Sequence, residues 1–290
     1  MPAKTCTLDC GYCQVGFTTC KTLRRSSFYP VEEIVEEVRQ AVRNCRPDFL
    51  TFSGEGEPTL NSDIGTLIRR FKREFGIPVA VITNGTLLHR PDVRRDLLSA
   101  DLVVPSLDAA DRRVFARVNR NHPGLSVERM IAGLARFRQE YRGKLWLEVM
   151  LVKGVNDAPG HVAKLRQAAW RIRPDRVQLN TVVRPPADRR CRPMSHDDLE
   201  QIAMLFGPGT DVVELPGVRR RAGAAVSDEA ILATVRSRPV TEEDLCRALG
   251  YSPAALRPVL RRLVRDARVR RTAFGGRVFF EPAGRRNQPA

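Results

Sequence analysis

A chain of 290 residues with 42% hydrophobic content has the size and composition of a soluble fold with one domain of about 200 residues and a smaller second one. No apolar run reaches the length of a membrane span and no basic-then-apolar leader opens the chain, so a cytoplasmic protein is expected rather than an exported or membrane one. A net charge of +16 points to acidic partners, nucleic acid first, and an odd count of seven cysteines argues against a disulfide framework.

In chain order, the first feature is Cys6-Thr7-Leu8-Asp9-Cys10-Gly11-Tyr12-Cys13. Three thiols at spacings of four and three, with an aromatic before the last, can curl around one corner of a [4Fe-4S] cluster, leaving a fourth iron open for a ligand. A zinc loop with Cys20 as fourth ligand is the alternative. Only five residues precede Cys6, so either the strand that should lead into this loop is truncated or the true start lies upstream. An exposed sheet edge beside the loop is expected.

Apolar residues at 31, 34, 35, 38 and 42 then mark a helix, and Asp48 to Ser53 reads as a short buried strand ending in Gly54-Glu55-Gly56-Glu57-Pro58. The alternation continues with helix 63–75, strand 79–82, helix 91–98, strand 102–106, helix 127–137, strand 145–152, helix 161–170, strand 177–179, helix 197–206 and a strand near Val212. Such order implies parallel pairing with right-handed crossovers, an α/β fold of partial-barrel type. Polar residues past the strand ends collect on one face. They are Gly56 and Glu57, Asn84, Ser106 and Asp108, Asn156, and Asn180 with Arg184. Each has a structural alternative; Asn84-Gly85 is a good turn and Asp108 a candidate cap.

The thiol spacing with Tyr12, together with Gly56-Glu57-Pro58 after a strand, resembles the radical S-adenosylmethionine superfamily over roughly residues 4 to 215. The resemblance implies a partial (β/α)6 TIM-like barrel, with Cys6, Cys10 and Cys13 as ligands of a [4Fe-4S] cluster. It also implies S-adenosylmethionine, its amino group near Gly56 and Glu57 and its ribose near Asn84, Ser106 and Asp108, with Glu148 a weaker candidate and Glu55 a competing carboxylate. The implied chemistry is reductive cleavage to a 5′-deoxyadenosyl radical that abstracts hydrogen from a substrate, fed by a one-electron donor such as flavodoxin or ferredoxin. The stretch Phe52 to Leu60 is similar to the tRNA wybutosine-synthesising branch, which makes RNA or a modified nucleoside the most specific substrate expectation. None of the four histidines is assigned a catalytic role. Cys45 and Cys246 read as packed thiols, whereas Cys20 and Cys191 are within reach of a redox or substrate role.

The pattern changes near Ser227. Helices at 228–236, 241–249 and 254–266 and a hairpin over 269–280 resemble a winged helix, giving a barrel over 1–216, a linker 217–226, the basic module 227–283 and a disordered tail 284–290. From Arg219 to Ala290 there are 16 Arg and 7 acids, so +9 of the charge lies here. Arg257, Arg261, Arg262, Arg265, Arg270, Arg271 and Arg277 are expected to face phosphates. An iron–sulfur regulator that binds nucleic acid through this module is the alternative function.

Overall fold

Alternation of buried and half-buried side chains along the strands fixes two faces for one sheet. The computed structural model describes residues 2, 4–43, 47–213 and 226–284, the side chain of Ser237 excepted. Two compact units divide the chain: residues 1–10, 18–181 and 194–213 form the first, and residues 11–17, 182–193 and 214–290 the second. Expectations for Cys45, for most of the linker and for the tail past Gly284 lie outside the described residues.

The first unit opens with β1 (Thr5–Cys6) and β2 (Cys20–Lys21), then α1 (Val31–Val42), β3 (Leu50–Phe52), a 3₁₀ turn (Pro58–Leu60) and α2 (Ile64–Phe75). It continues through β4 (Val79–Thr83), α3 (Pro91–Leu97), β5 (Leu102–Pro105), α4 (Arg112–Val118), α5 (Val127–Glu140), β6 (Lys144–Leu151), α6 (Pro159–Ile172), β7 (Arg176–Thr181), α7 (His196–Phe206) and β8 (Thr210–Val212). Strands β3 to β8 form one six-stranded sheet in chain order, each pair parallel. Parallel neighbours in sequence order with a crossover helix between them are the mark of a barrel wall, here a partial TIM-like barrel.

The long strand β6 shows the two faces. Leu145, Leu147, Val149 and Leu151 are buried on the helix side, and Trp146, Glu148 and Met150 alternate with them toward the other. Against the first set lie the apolar stripes of α5 (Met130, Leu134, Phe137) and α6 (Val162, Leu165, Ala169). Fully burying each Leu or Phe contributes about 1.5–3 kcal/mol, so this layer accounts for the cohesion of the wall. Tyr141 caps it, its hydroxyl donating to Ala100 O at 3.0 Å.

Instead of joining the large sheet, β1 pairs in parallel with β2, with Thr5 opposite Cys20 and Cys6 opposite Lys21. Edge strand β3 has no neighbour on its outer side among the described residues. α4 was not expected from the sequence, and its cap is Asp111, which accepts from Val114 N at 3.0 Å; the candidate cap Asp108 does something else.

The second unit contains α8 (Asp228–Ser237), β9 (Val240–Thr241), α9 (Glu242–Leu249), α10 (Pro253–Arg265), β10 (Val269–Phe274) and β11 (Arg277–Pro282). Helix α9 starts on a capping box between Thr241 and Asp244. The hairpin β10–β11 gains a third antiparallel strand in β9, and the helices close over Ile231, Val235, Leu245, Leu256 and Leu260. Among the described residues no helix is long and apolar enough to cross a membrane.

Candidate active site

The cysteine loop is held from both sides of its first turn. Lys4 N donates to Glu55 O at 2.6 Å and Glu57 N to Thr5 O at 3.0 Å, so the Gly56 peptide lies between two backbone bonds that tie the β3 turn to β1. Asp9 N donates to Asn119 O, His122 N to Thr7 O, and Asp9 Oδ1 accepts from Thr18 N at 2.6 Å. The cysteine loop and the Gly56-Glu57 turn are therefore parts of one hydrogen-bonded body.

Donors reach the sulfurs themselves. Asn84 Nδ2 and Leu8 N each lie 3.5 Å from Cys6 Sγ, and Asn119 Nδ2 lies 3.3 Å from Cys10 Sγ. Amide N–H groups aimed at sulfur suit thiolates that carry charge in a cluster. Among the described residues no three His, Cys, Asp or Glu side chains gather as ligands of a single ion would. A cubane places each thiolate on a different iron, so the donor set fits the cluster on its chemistry. Cys13 belongs to the second unit, where its carbonyl accepts from Ala187 N at 2.9 Å and the carbonyl of Gly11 accepts from Asp188 N at 2.8 Å. Tyr12, half-buried, lies in the same segment.

Glu57 is 2% exposed. Its Oε1 accepts from Thr59 N, Thr59 Oγ1 and Thr83 Oγ1, and its Oε2 from Asn84 N at 2.7 Å. Burial pushes its carboxyl above the usual range, and the donors from Thr59, Thr83 and Asn84 oppose that push. With these bonds made, the carboxylate is an anchor that fixes the turn and the start of the Asn84 loop. Asn84 is engaged too: Nδ2 also donates to Thr7 Oγ1 at 2.8 Å, and Oδ1 accepts from Thr86 N and Oγ1.

Further along the sheet, Ser106 Oγ donates to Glu148 Oε2 at 3.1 Å and Asn180 Nδ2 to Glu148 Oε1 at 3.2 Å. The register that was open in the sequence therefore puts Glu148 on the same face as Ser106 and Asn180, all three half-buried. Asp108, 3% exposed, accepts from Met150 N and from Asn119 Nδ2 at 2.7 Å. Asn156 is wholly buried and bonds the backbone of Val152, Asp108 and Met150, a structural part. Arg184 lies in the second unit, where Nη1 donates to Gln14 Oε1 at 3.4 Å. Asn119 was not singled out from the sequence; it is 109 residues from Cys10 and carries no motif.

Cys20 is exposed on β2 and Cys191 half-buried in the loop after β7. Cys246 is half-buried beside the core of the second unit, and burial pushes its thiol up, as expected of a packed cysteine.

Comparison with known proteins bears on this arrangement. A protein named GTPase Obg from Brachyspira hyodysenteriae is 32% identical over 95% of this chain, which spans 41% of that protein's length. A UPF0026 protein from Methanocaldococcus jannaschii is 31% identical over 97% of this chain and 89% of its own. The dual-specificity RNA methyltransferase RlmN of Nitratidesulfovibrio vulgaris is 25% identical over 63% of this chain and 51% of its own. In fold, the structure of TYW1 with a lysine-pyruvate adduct bound superposes with a TM-score of 0.54 at 18% identity, over 72% of this chain and 71% of that one. The family model for the Radical SAM superfamily matches residues 2–165, the span from the cysteine loop into α6. More than half of the sequence is thus matched, and the chain belongs to the Radical SAM superfamily of enzymes, which use a [4Fe-4S] cluster and S-adenosylmethionine.

Proposed function

We propose that Cys6, Cys10 and Cys13 hold a [4Fe-4S] cluster at which S-adenosylmethionine is reductively cleaved, and that the substrate is a nucleoside within RNA. The observation that carries the first part is the pair of side-chain amides, Asn84 and Asn119, donating to Cys6 and Cys10 from loops that follow other elements of the wall. The RNA reading is supported by the similarity of Phe52 to Leu60 to the wybutosine-synthesising branch, by the RNA methyltransferase among the relatives and by the charge of +16. When bound, the cluster and S-adenosylmethionine supply a 5′-deoxyadenosyl radical for hydrogen abstraction.

The chain's own residues bind and orient. Gly56 and the turn around it offer backbone oxygens for an ammonium group, while Glu57 keeps that turn in place from beneath. Ser106 and Glu148 present hydroxyl and carboxylate oxygens on the open face, suited to the hydroxyls of a ribose. Asp108 acts one step back: it receives the Asn119 amide and so fixes its second N–H toward Cys10. No side chain is required to take a proton in hydrogen-atom abstraction, which agrees with the scatter of the histidines. A one-electron donor such as a flavodoxin or ferredoxin completes the scheme.

We read β9–β11 with α8–α10 as a winged helix. Its basic surface is partly spent internally: Arg257 pairs with Glu242, Arg262 with Asp228, Arg265 with Asp266, Arg270 with Glu281 and Arg277 with Glu243. Only Arg261 and Arg271 of the seven expected phosphate contacts have no carboxylate partner among the described residues, which makes this unit a weaker polyanion surface than its sequence charge suggests.

The test is anaerobic reconstitution with iron and sulfide, followed by dithionite and S-adenosylmethionine. Release of 5′-deoxyadenosine by the wild type and its loss in Cys10→Ala are expected. Iron incorporation without any 5′-deoxyadenosine would remove the enzymatic reading in favour of a sensor.

A further inference from the structure

The opposite end of the sheet carries a surface that the chemistry above does not use. The chain enters β5, β6, β7 and β8 through short turns at Asp101, Gly143, Asp175 and Gly209, and two clefts meet there, sharing Asp175. The larger, about 1030 Å³, is lined by Arg69, Lys72 and Arg73 of α2, Arg138 and Arg142 around the end of α5, and Lys144. The smaller, about 260 Å³, adds Arg173 and Arg176.

The two carboxylates among these residues are already neutralised. Asp101 accepts from Lys72 Nζ at 2.6 Å and Val79 N at 2.8 Å, and Asp175 from Arg138 Nη1 at 2.9 Å and Leu145 N at 2.7 Å. Arg142, Lys144 and Arg173 are exposed and meet no carboxylate among the described residues. Arg73 and Arg176 pair with Glu74 and Asp211 outside the clefts, which leaves Arg69, Arg142, Lys144 and Arg173 as the lining cations with no carboxylate partner among the described residues. Concentrated, uncompensated positive charge on a concave face selects a polyanion.

Aromatic rings narrow the class. Trp170, 59% exposed, lines the smaller cleft, with the Arg166 guanidinium 4.5 Å from its ring centre. Arg176 stands 5.3 Å from the ring of Trp146, its partner across β6 and β7. The exposed indole, with Arg166 over its ring and Arg173 beside it in the cleft, is a platform for an unpaired base with its phosphates alongside. The clefts open where the chain enters β5 to β8, at the end of the sheet away from Ser106 and Asn180.

We propose that this face binds single-stranded RNA, with phosphates on Arg142, Lys144 and Arg173 and a base on Trp170. The choice of RNA over DNA rests on the proposed substrate class; the single strand and the charge rest on the geometry. Trp146 and Trp170 are the chain's two tryptophans, so selectively excited tryptophan fluorescence reports these two positions. The experiment titrates the full chain, without S-adenosylmethionine or reductant, with a short oligouridylate at low salt. Failure of the radical chemistry therefore cannot imitate failure of binding.

Quenching that weakens as salt rises is expected, with Arg142→Glu/Lys144→Glu weakening binding about tenfold or more and Trp170→Ala about fivefold or more. Arg261→Glu/Arg271→Glu in the C-terminal unit should leave the curve unchanged. Wild-type affinity in the Arg142/Lys144 variant, loss of binding in the Arg261/Arg271 variant, or equal quenching by polyglutamate would each overturn the proposal, the last in favour of an acidic protein. Tighter binding of oligothymidylate than of oligouridylate would overturn the choice of RNA.

Discussion

Asn119 links three observations that lie far apart in the chain. Its carbonyl receives Asp9 N, and its amide spends one N–H on Asp108 Oδ2 and another on Cys10 Sγ. A hydrogen bond to a thiolate stabilises the more negative, reduced state of a bound cluster, so it raises the reduction potential. Asn119→Ala should therefore bind iron but titrate to a more negative midpoint, read by EPR-monitored redox titration. Since the amide is 2% exposed and also serves Asp108, a loss of about 1–3 kcal/mol in stability should accompany it. An unchanged midpoint in a folded, iron-loaded variant would leave Asn119 a structural residue only. Glu57 shows the complementary case: its backbone N–H donates to Thr5 O beside the cysteine loop, and four donors around its carboxylate make it an anchor.

At the scale of elements, helix α5 depends on one missing side chain. A Cβ at Gly133 would lie 2.4 Å from His89 N and 2.7 Å from Leu88 C, backbone atoms that cannot swing aside. In an exposed helix, Gly→Ala stabilises by about 0.5–1 kcal/mol. Here overpacking wins, and Gly133→Ala should destabilise by about 1–3 kcal/mol in chemical denaturation. The start of α4 makes a second prediction. Asp111 accepts from Val114 N and meets Lys164 and His161, and these hold its carboxyl down at about 2, below the usual 3.8. A depressed carboxyl contributes stability that is present above its unfolded value and lost as pH falls toward its folded one. Asp111→Asn keeps the cap oxygen and removes the charge, so it should be less stable than wild type near neutrality and lose less stability between pH about 4 and 2, the two converging at low pH. The strands and most helices were legible because their apolar periods are long: each strand of the large sheet lies within two residues of its expected limits. α4 was not, because seven residues with three arginines show too little period, and β9 was not, because two residues pair only once β11 exists. Asn119 was invisible for a different reason. Its role is a distance in space with no trace in spacing.

For the whole molecule, the division of the chain places the last third of the cysteine loop in the second unit. There Cys13 and Gly11 are hydrogen bonded to Ala187 and Asp188, and a cleft of about 270 Å³ is lined by Gln14, Val15 and Gly16, by Pro185 to Ala187, and by Thr272 to Phe274 of β10. Within the second unit the hairpin is thus a wall of the cleft lined by the residues that follow Cys13. Iron–sulfur clusters are lost when oxygen and water reach them, so the wall has a measurable consequence. A chain ending at Val213, reconstituted anaerobically, should take up iron through Cys6, Cys10 and Cys13 but lose its visible absorbance in air several-fold faster than the full chain. The full chain carrying Arg261→Glu/Arg271→Glu, which alters charge and leaves the hairpin in place, should bleach at the wild-type rate. If the shortened chain bleaches no faster, the hairpin does not protect the loop.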